Sequence, residues 1–112
     1  MVPLAFEYWG TPAINNGKIY QTVTLPAGKY KLQASVESIA YDLPATYLVA
    51  AAGTTIPDAA AYEQSLGFGK FTNGSLNNKT LDANFTLTAE TVVSMGVVAN
   101  MVSGNQNLRV KE

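Results

Sequence analysis

The chain has no cysteine and no histidine. Those two absences remove cysteine nucleophiles, disulfide exchange and serine–histidine triads from its own chemistry. Tetrahedral zinc sites of the Cys/His kind go with them. A disulfide-stapled fold is excluded, and the absence of thiols suits a protein that folds where thiols would be a liability. Charge is scarce as well. Charged residues make up 13% of the 112 residues, about half the roughly 25% usual in globular domains. The net charge is −1, so there is no broad electrostatic field. Lys18, Lys29, Lys31, Lys70, Lys79, Arg109 and Lys111 are scattered, with only Lys29 and Lys31 close together. A nucleic-acid or anionic-membrane partner needs clustered cations to neutralise phosphates, so neither is expected. No stretch reaches the roughly 18 consecutive apolar residues of a bilayer-spanning helix, and direct membrane insertion is not expected.

What is present has a period of two. In Lys29 to Ser38, Tyr30, Leu32, Ala34 and Val36 alternate with Lys31, Gln33, Ser35 and Glu37. Adjacent side chains of a strand point to opposite faces, so this is a strand with one wet side. Lys18 to Leu25 alternates in the same way, with Ile19, Val23 and Leu25 against Tyr20, Thr22 and Thr24. Pro26-Ala27-Gly28 between the two supplies a preset φ and a residue tolerant of positive φ, and predicts a hairpin or tight corner. Phe6 to Trp9, Thr46 to Ala52, Ser65 to Thr72, Lys79 to Leu87, Thr91 to Ala99 and Asn107 to Lys111 read as further strands. Thr91 to Ala99 is apolar on both faces and should be central. Gly67 and Gly69 alternate with Leu66 and Phe68, a pattern that marks a bulge or a close backbone approach. Only Pro57 to Gln64 reads as helix, about two turns at most, with Pro57 suited to the first turn.

About eight short strands and one short helical connection predict an all-β fold, an antiparallel β-sandwich of the jelly-roll kind. Residues 1–112 fit a single domain. The chain opens without a basic leader and ends within a strand, so we expect a domain excised from a larger protein.

Strands that alternate in direction gather alternate loops at one end. One end receives Pro26-Ala27-Gly28, Gly53 to Gln64 and Ala89-Glu90. The other receives Gly10 to Gly17, Ile39 to Ala45, Asn73 to Asn78 and Val102 to Gln106. That second end collects asparagines, with Trp9 and Tyr41 at its strand junctions. Amides both donate and accept, as a pair of sugar hydroxyls requires, and an aromatic face offers an apolar platform. The candidate ligand-binding residues are therefore Trp9, Asn15, Asn16, Tyr41, Asp42, Asn73, Asn77 and Asn78. Asparagine is also the ordinary residue of turns, because it tolerates left-handed backbone and bonds its own main chain. No catalytic residues and no metal ligands are assigned, and the chain is expected not to be an enzyme. No cofactor is expected; a structural calcium would have Asp42 as the one acid clearly within the asparagine-rich loops. Asn73-Gly74-Ser75, Asn78-Lys79-Thr80 and Asn84-Phe85-Thr86 match the glycosylation triplet, at a frequency near chance for so Asn- and Thr-rich a chain.

The stretch from Asn16 through Gly17-Lys18-Ile19-Tyr20-Gln21-Thr22-Val23-Thr24-Leu25-Pro26-Ala27-Gly28-Lys29-Tyr30-Lys31 to Leu32 resembles the hairpin of galactose-binding-like jelly rolls, which include many carbohydrate-binding modules. More narrowly, the chain resembles C-terminal domains of surface lipoproteins in bacterial glycan-utilisation systems. Asp82 to Leu87 followed by Val92 to Val98 fits the same layout. The match covers about a sixth of the chain and is a signature of fold; it transfers no binding residue. It implies an extracytoplasmic domain, secreted or on the outer cell surface, with a glycan or polysaccharide and the neighbouring domains of its parent as partners. The leading expectation is a non-catalytic carbohydrate-binding module. The alternatives are a structural spacer or protein-interaction β-sandwich with no sugar ligand, and adhesin-like assembly through an exposed edge, with the terminal strand Asn107 to Lys111 as the edge.

Overall fold

The alternating stretches do form strands. A computed structural model of the chain describes residues 4–7, 14–40, 43, 45–101 and 107–111. Among them are eight strands: β1 (Leu4–Glu7), β2 (Ile14–Leu25), β3 (Gly28–Ala40), β4 (Ala45–Ala52), β5 (Gly67–Lys70), β6 (Thr80–Leu87), β7 (Thr91–Met101) and β8 (Asn107–Lys111). β1 pairs with β8, β2 with β7, β3 with β6 and β4 with β5, each antiparallel. These four pairs are nested one inside the next. β3 also takes β8, and β4 also takes β7. Two four-stranded sheets result, in the orders β1-β8-β3-β6 and β2-β7-β4-β5. The fold is an antiparallel β-sandwich with the nested pairing of a jelly roll.

The alternation sets what lies between the sheets. Ala34, Val36, Ile39 and Leu108 of the first sheet pack on Leu48, Val97, Ala99 and Met101 of the second, with Phe71 wholly buried among them. Nearer the Pro26 corner, Phe85, Leu87, Val93 and Ala50 form a second inter-sheet cluster. The run Thr46 to Ala51 is buried at every position, more than one inner face requires. The reason is a third cluster on the outer face of the second sheet, where Tyr47, Val49 and Val98 lie beneath Ile56, Ala59 and Tyr62. β4 is covered on both sides, as is β7 at Val98, although Val92 near the start of β7 stays exposed, and the covered stretch of β4 accordingly lacks a polar phase.

Gly67 and Gly69 point inward on β5. A Cβ at Gly67 would overlap the carbonyl oxygen of Asn84, and one at Gly69 would sit 2.7 Å from that of Asp82. The expected close approach is real: β5 lies almost on the backbone of β6, and the sandwich closes along that border. Three details differ from expectation. The helical connection is a 3₁₀ helix, Ala59–Gln64, with Asp58 giving no side-chain cap. A second 3₁₀ helix, Gly74–Leu76, stands where the sequence reads only as a turn. The terminal strand β8 is not an edge, because β1 and β3 flank it. Nested pairing carries β8 into the middle of its sheet, and among the described residues β1, β6, β2 and β5 are the edges. Among the described residues no helix is long and apolar enough to cross a membrane.

Candidate functional site

Two regions of the surface have chemistry to offer. The first is the asparagine-rich end, where β2 and β6 begin and β3 and β7 end. Here the β2–β7 register slips between Ile14, opposite Met101, and Gly17, opposite Ala99. Asn15 and Asn16 together thus oppose Asn100, a β-bulge. Asn16 takes a positive φ of 51°, a conformation that asparagine accepts more readily than most residues. Its backbone N–H donates to Oδ1 of Asn100 at 2.6 Å, and its own Oδ1 accepts from Ala59 N at 2.9 Å. Asn15 beside it is exposed.

On the first sheet, Asn73 caps the Gly74–Leu76 helix, its Oδ1 accepting from Ser75 N at 2.9 Å. Asn77 Oδ1 accepts from Ile39 N at 2.8 Å. Asn78 has a φ of 62°, and its N–H donates to Val36 O at 2.9 Å. The structure thus brings Asn15, Asn16 and Asn100 into one group, and Asn73, Asn77 and Asn78 into another at the same end. In Asn16, Asn73, Asn77 and Asn100 the amide oxygen is engaged on the main chain. The amide nitrogens are what these side chains would offer a ligand hydroxyl. Trp9, Tyr41 and Asp42 lie outside the described residues.

The second region is the outer face of the β2-β7-β4-β5 sheet. The connection after β4 does not stay at the Pro26 end. Ser94 Oγ donates to Gly53 O at 2.8 Å, Lys18 Nζ pairs with Asp58 Oδ1 at 2.6 Å, and Asn16 holds Ala59. These three ties draw the connection along the outer face toward the asparagines. It buries Ile56 and Ala59 and lays Tyr62 flat on Tyr47, with ring centroids 4.0 Å apart and planes within 9°. Phe68 meets Tyr62 edge-on at 4.7 Å and 81°. Lys70 Nζ sits 5.3 Å from the centre of the Tyr62 ring, within cation–π range.

Because Gly67 and Gly69 face inward, Leu66, Phe68 and Lys70 all face out along one line. Leu66 and Phe68 are 39% and 38% exposed, high for large apolar side chains on a sheet. Leu66 also borders a cleft of about 280 Å³ that lies between Ala51 and Ala52 of β4 and Thr55, Ile56, Pro57 and Gln64 of the connection. That volume is at the low end for ligand pockets, enough for about one sugar ring or side chain and no more. Hydrogen bonding to Tyr62 and the nearness of its charge hold the Lys70 pKa above its usual value. Burial, and then the neighbouring Tyr62, raises that of Tyr47. The strip presents the Lys70 amine, aromatic rings and an apolar floor.

A protein-family model described as a domain of unknown function (DUF5013) matches residues 2–96. The chain belongs to this family. No curated protein and no solved structure matches it. The matched span of this DUF5013 domain takes in the exposed strip and Asn15, Asn16, Asn73, Asn77 and Asn78, and stops short of Asn100 and β8. Among the described residues no three or more Asp and Glu are grouped to hold a metal ion. Sequence reasoning missed Tyr62, Gln64, Phe68 and Lys70 as surface groups. The available signal was the Gly67/Gly69 alternation: if the glycines face the other sheet, Leu66, Phe68 and Lys70 must face away from it.

Proposed function

We propose that this DUF5013 domain is a non-catalytic carbohydrate-binding module of a secreted or surface-anchored bacterial protein. The observation that carries the reading is the strip on the outer sheet face. Phe68 and Leu66 stand exposed there; Leu66 and Gln64 line a cleft sized for about one ring, and Tyr62, with Lys70 over its ring, packs edge-on against Phe68. A pyranose has an apolar C–H face and a rim of hydroxyls. An apolar platform ringed by a few donors and acceptors complements both. β2 and β3 lie in opposite sheets and are joined by the Pro26 corner, and the resemblance of that Asn16–Leu32 stretch to galactose-binding-like jelly rolls supports the same class of ligand. Within this reading the loop end, with Trp9, Asn15, Asn16, Tyr41, Asp42, Asn73, Asn77 and Asn78, is the competing place for the sugar.

The test is a polysaccharide and glycan array on the 112-residue chain, with and without calcium, followed by affinity measurements on Phe68→Ala, Lys70→Ala, Asn15→Ala and Tyr41→Ala. Loss of an aromatic contact worth about 0.5–1.5 kcal/mol weakens binding roughly 2- to 12-fold. Weakening in Phe68→Ala and Lys70→Ala alone supports the sheet face. Weakening in the other two alone moves the sugar to the loops. A blank array from a folded domain refutes sugar binding and leaves a spacer or protein-interaction role.

A further inference from the structure

Asparagine followed by glycine is the dipeptide in which the main chain most readily reacts with its own side chain. The backbone nitrogen of the glycine attacks the amide carbon Cγ of the asparagine, and no Cβ on the glycine stands in the way. A C–N bond forms, the Cγ–Nδ2 bond breaks and ammonia leaves, giving a cyclic imide. Water then opens the imide at either carbonyl, to aspartate or to isoaspartate. The sum is asparagine plus water giving the acid plus ammonia, with no oxidant or cofactor. The sequence has this dipeptide at Asn16-Gly17 and again at Asn73-Gly74.

The fold treats the two differently. Asn16 is half-buried in the β2 bulge. Its Oδ1 accepts from Ala59 N at 2.9 Å and its N–H donates to Oδ1 of Asn100 at 2.6 Å, so side chain and main chain are both pinned to other segments. Gly53 N donates to Val92 O, so the even positions of β7 address β4 and the odd ones, Ala99 among them, address β2. Gly17 stands opposite Ala99, and its nitrogen is directed into that ladder. Asn73, Gly74 and Ser75, by contrast, are all exposed. Gly74 opens the Gly74–Leu76 helix, where a backbone N–H has no acceptor within the helix. Among the described residues it has no acceptor elsewhere. Asn73 Oδ1 accepts from Ser75 N at 2.9 Å, which closes the side chain in a turn around the Gly74 nitrogen and brings the amide carbon to it. The same Ser75 N–H would stabilise the oxyanion that forms on Oδ1 as the nitrogen attacks.

We propose that Asn73-Gly74 is a site of spontaneous deamidation, and that folding shields Asn16-Gly17 from the same reaction. The product carries a carboxylate where Asn73 carried an amide, so the loop end gains a negative charge and loses the Nδ2 donor. Aspartate keeps an oxygen for Ser75 N, whereas isoaspartate adds a carbon to the main chain and loosens the turn that leads to Asn77. This inference is independent of sugar binding. It is tested by incubating the whole chain in mildly alkaline buffer made with heavy-oxygen water and mapping its peptides by mass spectrometry. Methylation by an isoaspartyl methyltransferase provides the second readout. The urea-unfolded chain, in which both dipeptides are free, sets the reference rate. In the folded chain Asn73 should convert within about twofold of that reference, and Asn16 roughly tenfold or more slower, because the bonds that hold it must open first. Gly74→Ala should slow conversion at Asn73 several-fold. A Cβ there would meet nothing nearer than Asn77 Nδ2 at 3.5 Å, and Gly74 has no positive φ, so that variant should fold as the parent does. Equal rates at the two sites of the folded chain, protection of Asn73 by folding, or an unchanged rate in Gly74→Ala overturns the proposal.

Discussion

Asn77→Ala distinguishes an asparagine that builds the loop end from one that reads a ligand. Asn77 is exposed, yet its Oδ1 is the acceptor for the backbone N–H of Ile39, whose side chain is buried at the rim of the core. Alanine removes the acceptor and leaves that N–H unpaired. An orphaned buried donor costs about 1–3 kcal/mol, and partial access of water to this part-buried bond puts the cost near the lower half, about 1–2 kcal/mol. For a domain of this size that lowers Tm by about 3–10 °C. Asn77→Asp keeps an oxygen in place and should lose less than half as much. Circular dichroism melts give the Tm values, and hydrogen exchange at the Ile39 amide locates the effect, faster in Ala than in Asp. An alanine variant that melts with the parent and protects Ile39 equally would refute the structural role. If both variants then lost glycan binding, Asn77 would be a ligand contact.

Other expectations follow from packing and ionisation. Gly67→Ala must push β5 off the Asn84 carbonyl, an overpacking cost of about 1–3 kcal/mol that urea denaturation would register as a lower midpoint at unchanged slope. Thr46 is 1% exposed and its hydroxyl has no hydrogen-bond partner among the described residues, so Thr46→Val should raise Tm. Tyr47 and Lys70 both hold their protons more tightly than their ordinary values of 10.0 and 10.5 imply. The native state then binds more protons than the unfolded one above about pH 10, and stability falls as pH rises through that window. Melts from pH 8 to 11.5 should show a plateau and then a decline, with a shallower decline in Tyr47→Phe.

The strands were legible because most have one wet face. β3 and β6 write their inner and outer sides in alternate letters, and Tyr30, Leu32, Ala34 and Val36 turn inward as read. β7 was legible as central because it is apolar on both faces. The same run could not say what covers its outer side, since the cover is the Gly53–Leu66 connection, drawn there by Asp58, Ala59 and Ser94 through contacts remote in sequence. Helix type at Ala59–Gln64 was illegible because three alanines suit either period. The asparagines were legible as a group and not as individuals. One amide oxygen can hold a backbone N–H or meet a ligand, and only Ile39, Ser75 and Ala59 in place show which.

The nested pairing has a consequence in time. β4 and β5 can meet across one connection, but each enclosing pair must close a longer loop, until β1 joins β8 across nearly the whole chain. Each doubling of loop length adds only about 0.6 kcal/mol, so the cost lies in waiting more than in stability. Contacts this remote in sequence fold in milliseconds to seconds. During synthesis the first strand leaves the ribosome long before its partner exists. β1 must remain unpaired until β8 emerges, and the sandwich is completed at its outermost pair last.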